Sequence, residues 1–137
     1  VVAPAFAGLP DPSLTAFGGS HWTRNLLAVS GACLALRREV LARLGGFDEG
    51  LTGPGSDVEL CLRAVEAGLR VLHTPHARLV REGEVRRVAL VAAELARPGS
   101  RHEARLRGGD PFHTPHLSLE EGVLVSDGVV RAARSVE

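Results

Sequence analysis

The chain has no lysine, tyrosine or methionine, one tryptophan and only two cysteines. Apart from histidine, every basic residue is an arginine, a bias that accompanies the abundance of Ala, Gly, Val and Leu and carries no mechanistic weight. Cys33 and Cys61 stand in no metal-ligand spacing, so they read as small apolar residues in a reducing, cytoplasmic setting. No apolar run approaches the length of about 18 residues that a spanning helix needs. No charged segment leading into an apolar one opens the chain, so a secretory signal is not expected either. Excess charge of one sign is missing too: 16 basic against 16 acidic residues leave no chain-wide field toward nucleic acid or an acidic membrane. Recognition has to be local.

What is present suffices for one compact domain, since 137 residues fall within the usual domain size. The chain is organised around Leu44-Gly45-Gly46-Phe47-Asp48-Glu49 and Ser56-Asp57-Val58-Glu59-Leu60-Cys61-Leu62-Arg63. Two acidic clusters thus flank one Gly/Pro loop.

Residues 1–19 are rich in Pro, Gly, Ala and Ser without a sustained period, and read as an ordered loop or a leader. Residues 28–36 form a short, almost continuous apolar run broken by Gly31, which predicts a buried strand that approaches something closely. Val40, Leu41 and Leu44 recur at helical spacing before Gly45, which supplies a left-handed end to that helix. Ser56 and Glu59 match a capping box, and Val58, Cys61, Leu62 and Val65 make one apolar face that Gly68 stops. A strand is expected at 69–73, closed by Thr74-Pro75, with 77–80 as a second extended piece. Helices are expected at 84–96 and 100–107, the latter basic on its outer side. Residues 110–116 hold two prolines and read as a fixed loop, while Asp127-Gly128 between β-branched runs predicts a hairpin in the tail at 120–137.

Asp57 at a helix start has two readings. As a structural group it offsets the positive end of the helix dipole, for roughly 0.3 to 1 kcal/mol. As a functional group it is a general base at the lip of a glycine-rich loop, accessible and rigidly held. Ser56 and Glu59 by themselves read as capping residues. His-Thr-Pro-His occurs at 73–76 and again at 113–116, so four imidazoles could make a zinc site, or four half-buried packing residues. The arginines between Arg78 and Arg107 form either a phosphate-binding face or a solvated face paired with Glu82, Glu84, Glu94 and Glu103.

Taken in order, Arg24-Asn25, the 28–34 run, Arg37-Arg38-Glu39, Leu44 to Glu49, Asp57 to Arg63 and Ala67-Gly68 resemble the C-terminal half of a family 2 glycosyltransferase catalytic domain with a GT-A fold. Thr74-Pro75-His76-Ala77 is similar to the family's Y-T-P-Y-A, and Asp110-Pro111-Phe112-His113-Thr114-Pro115-His116-Leu117-Ser118 to its D-P-Y-Y-N-P-N-L-S. Those two motifs are typical of rhamnosyltransferase-like and O-antigen-type members, and the resemblance covers roughly residues 6–119.

The resemblance implies an α/β domain with a mixed small sheet and flanking helices, and an inverting transfer of sugar from a nucleotide-sugar to an acceptor hydroxyl. Asp57 falls on the motif's aspartate, the expected base. Ser30, Gly31 and Ala32 fall on the T-G-A loop expected beneath the sugars. Arg63 falls on the motif's arginine, and Asp48 and Glu49 on the acidic pair expected near the acceptor. Two positions depart: Ser56 replaces the glutamate before the base, and Glu59 replaces the second aspartate. Arg81 stands where the family often places a metal-completing histidine, and an arginine cannot ligate a cation, though its charge suits a diphosphate. Mg or Mn is therefore expected only in the complete enzyme, with no metal ligand assigned in this stretch.

A GT-A domain needs about 220 residues, more than one domain of this size supplies. The 1–137 stretch is accordingly read as a single partial domain, the acceptor-side half, without the strand–helix half and D-x-D-type motif that hold the nucleotide. The expected partners are a nucleotide-sugar and a polysaccharide or lipid-linked acceptor, with peripheral contact to the inner face of the membrane, self-association through uncovered strand edges, and no nucleic acid. A noncatalytic carbohydrate-binding or interaction module and a zinc hydrolase built on the His-Thr-Pro-His pairs are the competing readings.

Overall fold

A computed structural model describes residues 21–51, 55–80, 95, 98–112, 125–126 and 129–130. The chain enters through strand β1 (Arg24–Leu26), makes a 3-10 turn (Gly31–Cys33), and continues into helix α1 (Arg38–Leu44) and helix α2 (Ser56–Glu66). Strand β2 (Val71–His73), helix α3 (Glu103–Arg107) and strands β3 (Val125–Ser126) and β4 (Val129–Val130) follow. β1 and β2 pair antiparallel, with Arg24 opposite His73, Asn25 opposite Leu72 and Leu26 opposite Val71. β3 and β4 pair antiparallel, with Val125 opposite Val130 and Ser126 opposite Val129, as expected of a hairpin in the tail, while the expected Asp127-Gly128 turn lies outside the described residues. Among the described residues both pairings are antiparallel, so the mixed sheet expected from the sequence is not seen there.

The run at 28–36 is the clearest departure from expectation. The strand lies upstream of it, and the backbone donors of 31–33 have other partners. Gly31 N–H donates to Asp57, Ala32 N–H to Ser30 Oγ at 3.2 Å, and Cys33 N–H to the Ser30 carbonyl at 3.3 Å. With those amides taken, no ladder can form there. The run is not the buried segment expected either: Ser30 to Cys33, Ala35 and Leu36 are exposed, and the hydroxyl of Ser30 turns the chain.

α1 ends as its sequence predicts. Gly45 takes φ 85°, its N–H bonds to Ala42 O, and Gly46 N–H bonds back to Leu41 O at 3.0 Å, a Schellman end that satisfies the last carbonyls. α2 is the central element. Six consecutive residues, Val58 through Arg63, are buried, which is more than one full turn, so the helix is covered all round rather than along one apolar face. Val58 and Leu62 pack on Leu95, with Leu27, Ala28, Leu51 and Leu106 around them. Val65, expected on the apolar face, is only half-buried.

Gly68, at φ 76°, turns the chain out of α2 toward β2. No strand forms at 77–80, where Leu79 and Val80 are 72% and 94% exposed. α3 is shorter than the expected 100–107 segment. Of the expected 84–96 helix, Leu95 is helical and buried; the rest lies outside the described residues, as do 113–116, all of 1–19 and most of 120–137. Among the described residues no helix is long and apolar enough to cross a membrane.

Candidate functional site

The first turn of α2 sets the geometry. Its N-cap is Gly55, at φ 123°, whose carbonyl accepts from Glu59 N–H at 2.8 Å. That dihedral suits glycine and not a side-chain cap, so Ser56 is the first helical residue and the expected Ser56–Glu59 capping box does not form. Glu59 turns into the protein instead.

Asp57 is half-buried, and both of its oxygens are held. Oδ1 accepts from Val58 N–H at 2.8 Å and Oδ2 from Gly31 N–H at 2.6 Å. Each carboxylate oxygen has two lone pairs, so each keeps capacity for a further donor. Gly31 is a glycine because of this approach: a Cβ there would lie 3.1 Å from the Asp57 Cβ and 3.3 Å from Oδ2. Ser30, Gly31 and Ala32 are exposed beside the carboxylate. One turn along the helix, the Cys61 thiol donates to Val29 O at 3.9 Å. Burial pushes that thiol above its ordinary range, and the Asp57 charge adds to the effect.

The remaining expected site residues gather elsewhere. Gly45, Phe47, Asp48, Glu49, Glu59 and Arg63, with Arg101, line a cleft of about 330 Å³. Positions 57 and 59 are about 200° apart around a helix, so Asp57 and Glu59 project from different sides of α2. The structure thus forms two groups: Asp57 with Ser30 to Ala32, and Asp48, Glu49, Glu59 and Arg63 around the cleft. Arg81 lies outside the described residues.

Within the cleft wall Glu59 and Arg63 are paired. Arg63 Nη2 meets Glu59 Oε2 at 2.6 Å, and Nε donates to Glu59 at 2.8 Å, with both residues buried. The same guanidinium donates to Leu44 O and, at 2.7 Å, to Gly46 O. Arg63 therefore ties the end of α1, and the Phe47-Asp48-Glu49 loop that follows it, to α2. Asp48 Oδ1 accepts from Gly50 N–H at 2.9 Å, which shapes that loop locally. Its neighbour Phe47 is half exposed.

His102, which sequence reasoning passed over, completes this network. It is 3% exposed, with Nδ1 at 2.8 Å from Glu66 Oε1 and Nε2 at 3.2 Å from Glu59 Oε1. No local signal in the sequence marks it: residues 59, 63 and 66 sit at i, i+4 and i+7, a charged stripe beside the expected apolar face, and their partner lies far along the chain.

The described residues assemble no group of three or more His, Cys, Asp or Glu side chains that could hold a metal ion. His73 and His76 are described, whereas His113 and His116 are not, so the four-histidine arrangement falls partly outside the described residues.

This arrangement of a glycine-approached carboxylate and an acidic cleft around one central helix accompanies a family match. A family model described as "Glycosyltransferase like family 2" matches residues 18–100, more than half of the chain, and the protein belongs to that family. Membership implies the GT-A fold, to which the small antiparallel sheet and its helices contribute. The O-antigen biosynthesis protein RfbC of Myxococcus xanthus is 46% identical over 118 residues, covering 83% of this chain and 9% of its own. The uncharacterized protein y4gI of Sinorhizobium fredii (strain NBRC 101917 / NGR234) is 32% identical over 110 residues, covering 74% of this chain and 12% of its own. The chain thus spans about a tenth of the length of these curated relatives. No solved structure matches.

Proposed function

We propose that this chain is the acceptor-side portion of an inverting glycosyltransferase, in which Asp57 removes the proton of the acceptor hydroxyl as that oxygen attacks the anomeric carbon of a nucleotide-sugar. The bond to the nucleoside diphosphate breaks as the new glycosidic bond forms, and the diphosphate leaves with the electron pair. One observation carries the reading: the Asp57 carboxylate is partly exposed and fixed against the Gly31 amide, with acceptor capacity left on both oxygens. A base must be oriented and reachable, and this one is both.

In this reading the cleft lined by Phe47, Asp48 and Glu49 receives the acceptor glycan. Its exposed ring offers an apolar face to a sugar, and its carboxylates accept from sugar hydroxyls. In this proposal the fixed charge of Arg81 assists the departing diphosphate, and residues outside this stretch hold the nucleotide, so the chain alone transfers no sugar. The setting is the cytoplasmic side of a membrane, where lipid-linked acceptors are met. The acceptor belongs to a polysaccharide or a lipid-linked glycan, in keeping with the O-antigen role in the name of the Myxococcus relative.

The test is a chimera. The matching segment of the Myxococcus O-antigen biosynthesis protein is replaced by this chain, and transfer of sugar to the polysaccharide is followed in cells. Restored synthesis is the expected result. A stable chimera that binds glycan but transfers nothing would favour the noncatalytic carbohydrate-binding reading, to which Ser56, in place of an acidic residue, also points.

A further inference from the structure

We propose that His102 is a positioning residue for the cleft, acting through Glu59 and Arg63 on the Phe47-Asp48-Glu49 loop. The inference rests on the reading of that cleft as the acceptor side, but the contacts that carry it involve no sugar. His102 lies at the start of α3, remote in sequence from α2, and its ring is inserted between two carboxylates of that helix. A line of contacts runs from Glu66 through His102 to Glu59, from Glu59 to Arg63, and from Arg63 to the carbonyls of Leu44 and Gly46. Those carbonyls lie just before Phe47 in the chain. Among the described residues the charged groups around the imidazole are Glu59, Glu66, Arg63 through Glu59, and the exposed Arg101, whose Nε lies 3.6 Å from Glu66.

The chemistry makes the ring more than filling. An ionised carboxylate only accepts hydrogen bonds, so a ring nitrogen that carries a proton donates to the glutamate it faces, Glu66 at Nδ1 or Glu59 at Nε2. Glu59 cannot change rotamer to solvate itself without breaking the His102 and Arg63 contacts together, and Arg63 cannot leave Leu44 and Gly46 while Glu59 is fixed. The loop that carries Asp48 and Glu49 is therefore held from α3, across α2.

Two near-isosteric variants separate the two sides of the ring. The amide nitrogen of His102→Asn falls near the Nδ1 position and keeps the Glu66 bond, whereas that of His102→Gln falls near Nε2 and keeps the Glu59 bond. Hydrogen exchange of the Arg63 Nε–H and of the Phe47 and Glu49 amides is read by NMR on the chain, beside a urea midpoint for each variant. The Asn variant is expected to exchange at Arg63 Nε at least about tenfold faster than the Gln variant, as loss of a bond to a charged group implies. Equal protection in both variants, or equal loss in both, would overturn the proposal, since packing alone cannot tell the two nitrogens apart. Should the expected exchange pattern hold while the unsubstituted chimera transfers no sugar, positioning stands and the transferase reading falls.

Discussion

The backbone amide of Gly31 donates to Asp57 Oδ2 at 2.6 Å, and a methyl group at 31 would fit only if its neighbour gave way by a few tenths of an ångström. An alanine Cβ at 31 would sit 3.1 Å from the Asp57 Cβ, inside the roughly 3.5 to 4.0 Å of a relaxed carbon contact. Either the turn or the carboxylate must shift. Gly31→Ala is expected to cost about 1 to 3 kcal/mol of stability by overpacking and to lower transfer by the chimera by about tenfold or more. Urea unfolding and a transfer assay check the two effects separately; unchanged transfer would separate Gly31 from the base.

Glu59 and Arg63 form a buried pair, 5% and 8% exposed at their side chains, so solvent screens them little. Removing one partner strands the other. Glu59→Ala is expected to destabilise the chain by roughly 3 to 5 kcal/mol, while replacing both by apolar residues of similar volume, Glu59→Leu with Arg63→Met, recovers most of that loss. A double-mutant cycle in urea measures it. A Glu59→Ala variant of nearly native stability would mean that Arg63 gains nothing from its carboxylate.

Gly45 has left-handed backbone, and a Cβ added to it would meet nothing within 4 Å, so any cost of a side chain there is conformational alone. Gly45→Ala is expected to lose about 1 to 2 kcal/mol, with no change at Asp57. Chemical denaturation gives the first quantity and the Gly31 amide resonance the second.

Much of this architecture was legible in the sequence, and the reasons it was differ by residue. Gly45 announced the end of α1 because only its type accepts the dihedral, and Val58, Cys61 and Leu62 announced α2 by period. The run at 28–36 misled on both counts, since most of it is exposed and the Ser30 hydroxyl and the distant Asp57 decide where its amides go. Ser56 misled because Gly55, at φ 123°, ends the loop one residue earlier than a serine cap would. His102 was missed since a contact spanning 43 residues, from His102 to Glu59, leaves no local trace. Of the site, the family motif marked both groups of residues, but their separation to two sides of α2 follows only from the structure.

Cys33 is exposed and Cys61 is buried, which predicts that a thiol reagent labels Cys33 in the native chain and Cys61 only on unfolding. Burial, reinforced by Asp57, raises the Cys61 thiol above its ordinary range. Between the ordinary and the raised values the unfolded chain holds fewer protons than the folded one, so stability falls as pH rises through that window and is unaffected below it. With no lysine or tyrosine in the sequence, few other groups titrate there. Urea midpoints from neutral to alkaline pH should decline, and Cys61→Ala should flatten the decline. A slope that survives the substitution would place its origin elsewhere.

The central claim is that Asp57 takes the acceptor proton. Asp57→Asn keeps the shape of the side chain and an oxygen for the Gly31 amide while removing the base, and its rate of sugar transfer in the chimera is the most direct test. The account predicts a fall of about 100-fold or more with the amount of folded protein unchanged. Transfer by the Asn variant at the rate of the unsubstituted chain would contradict it.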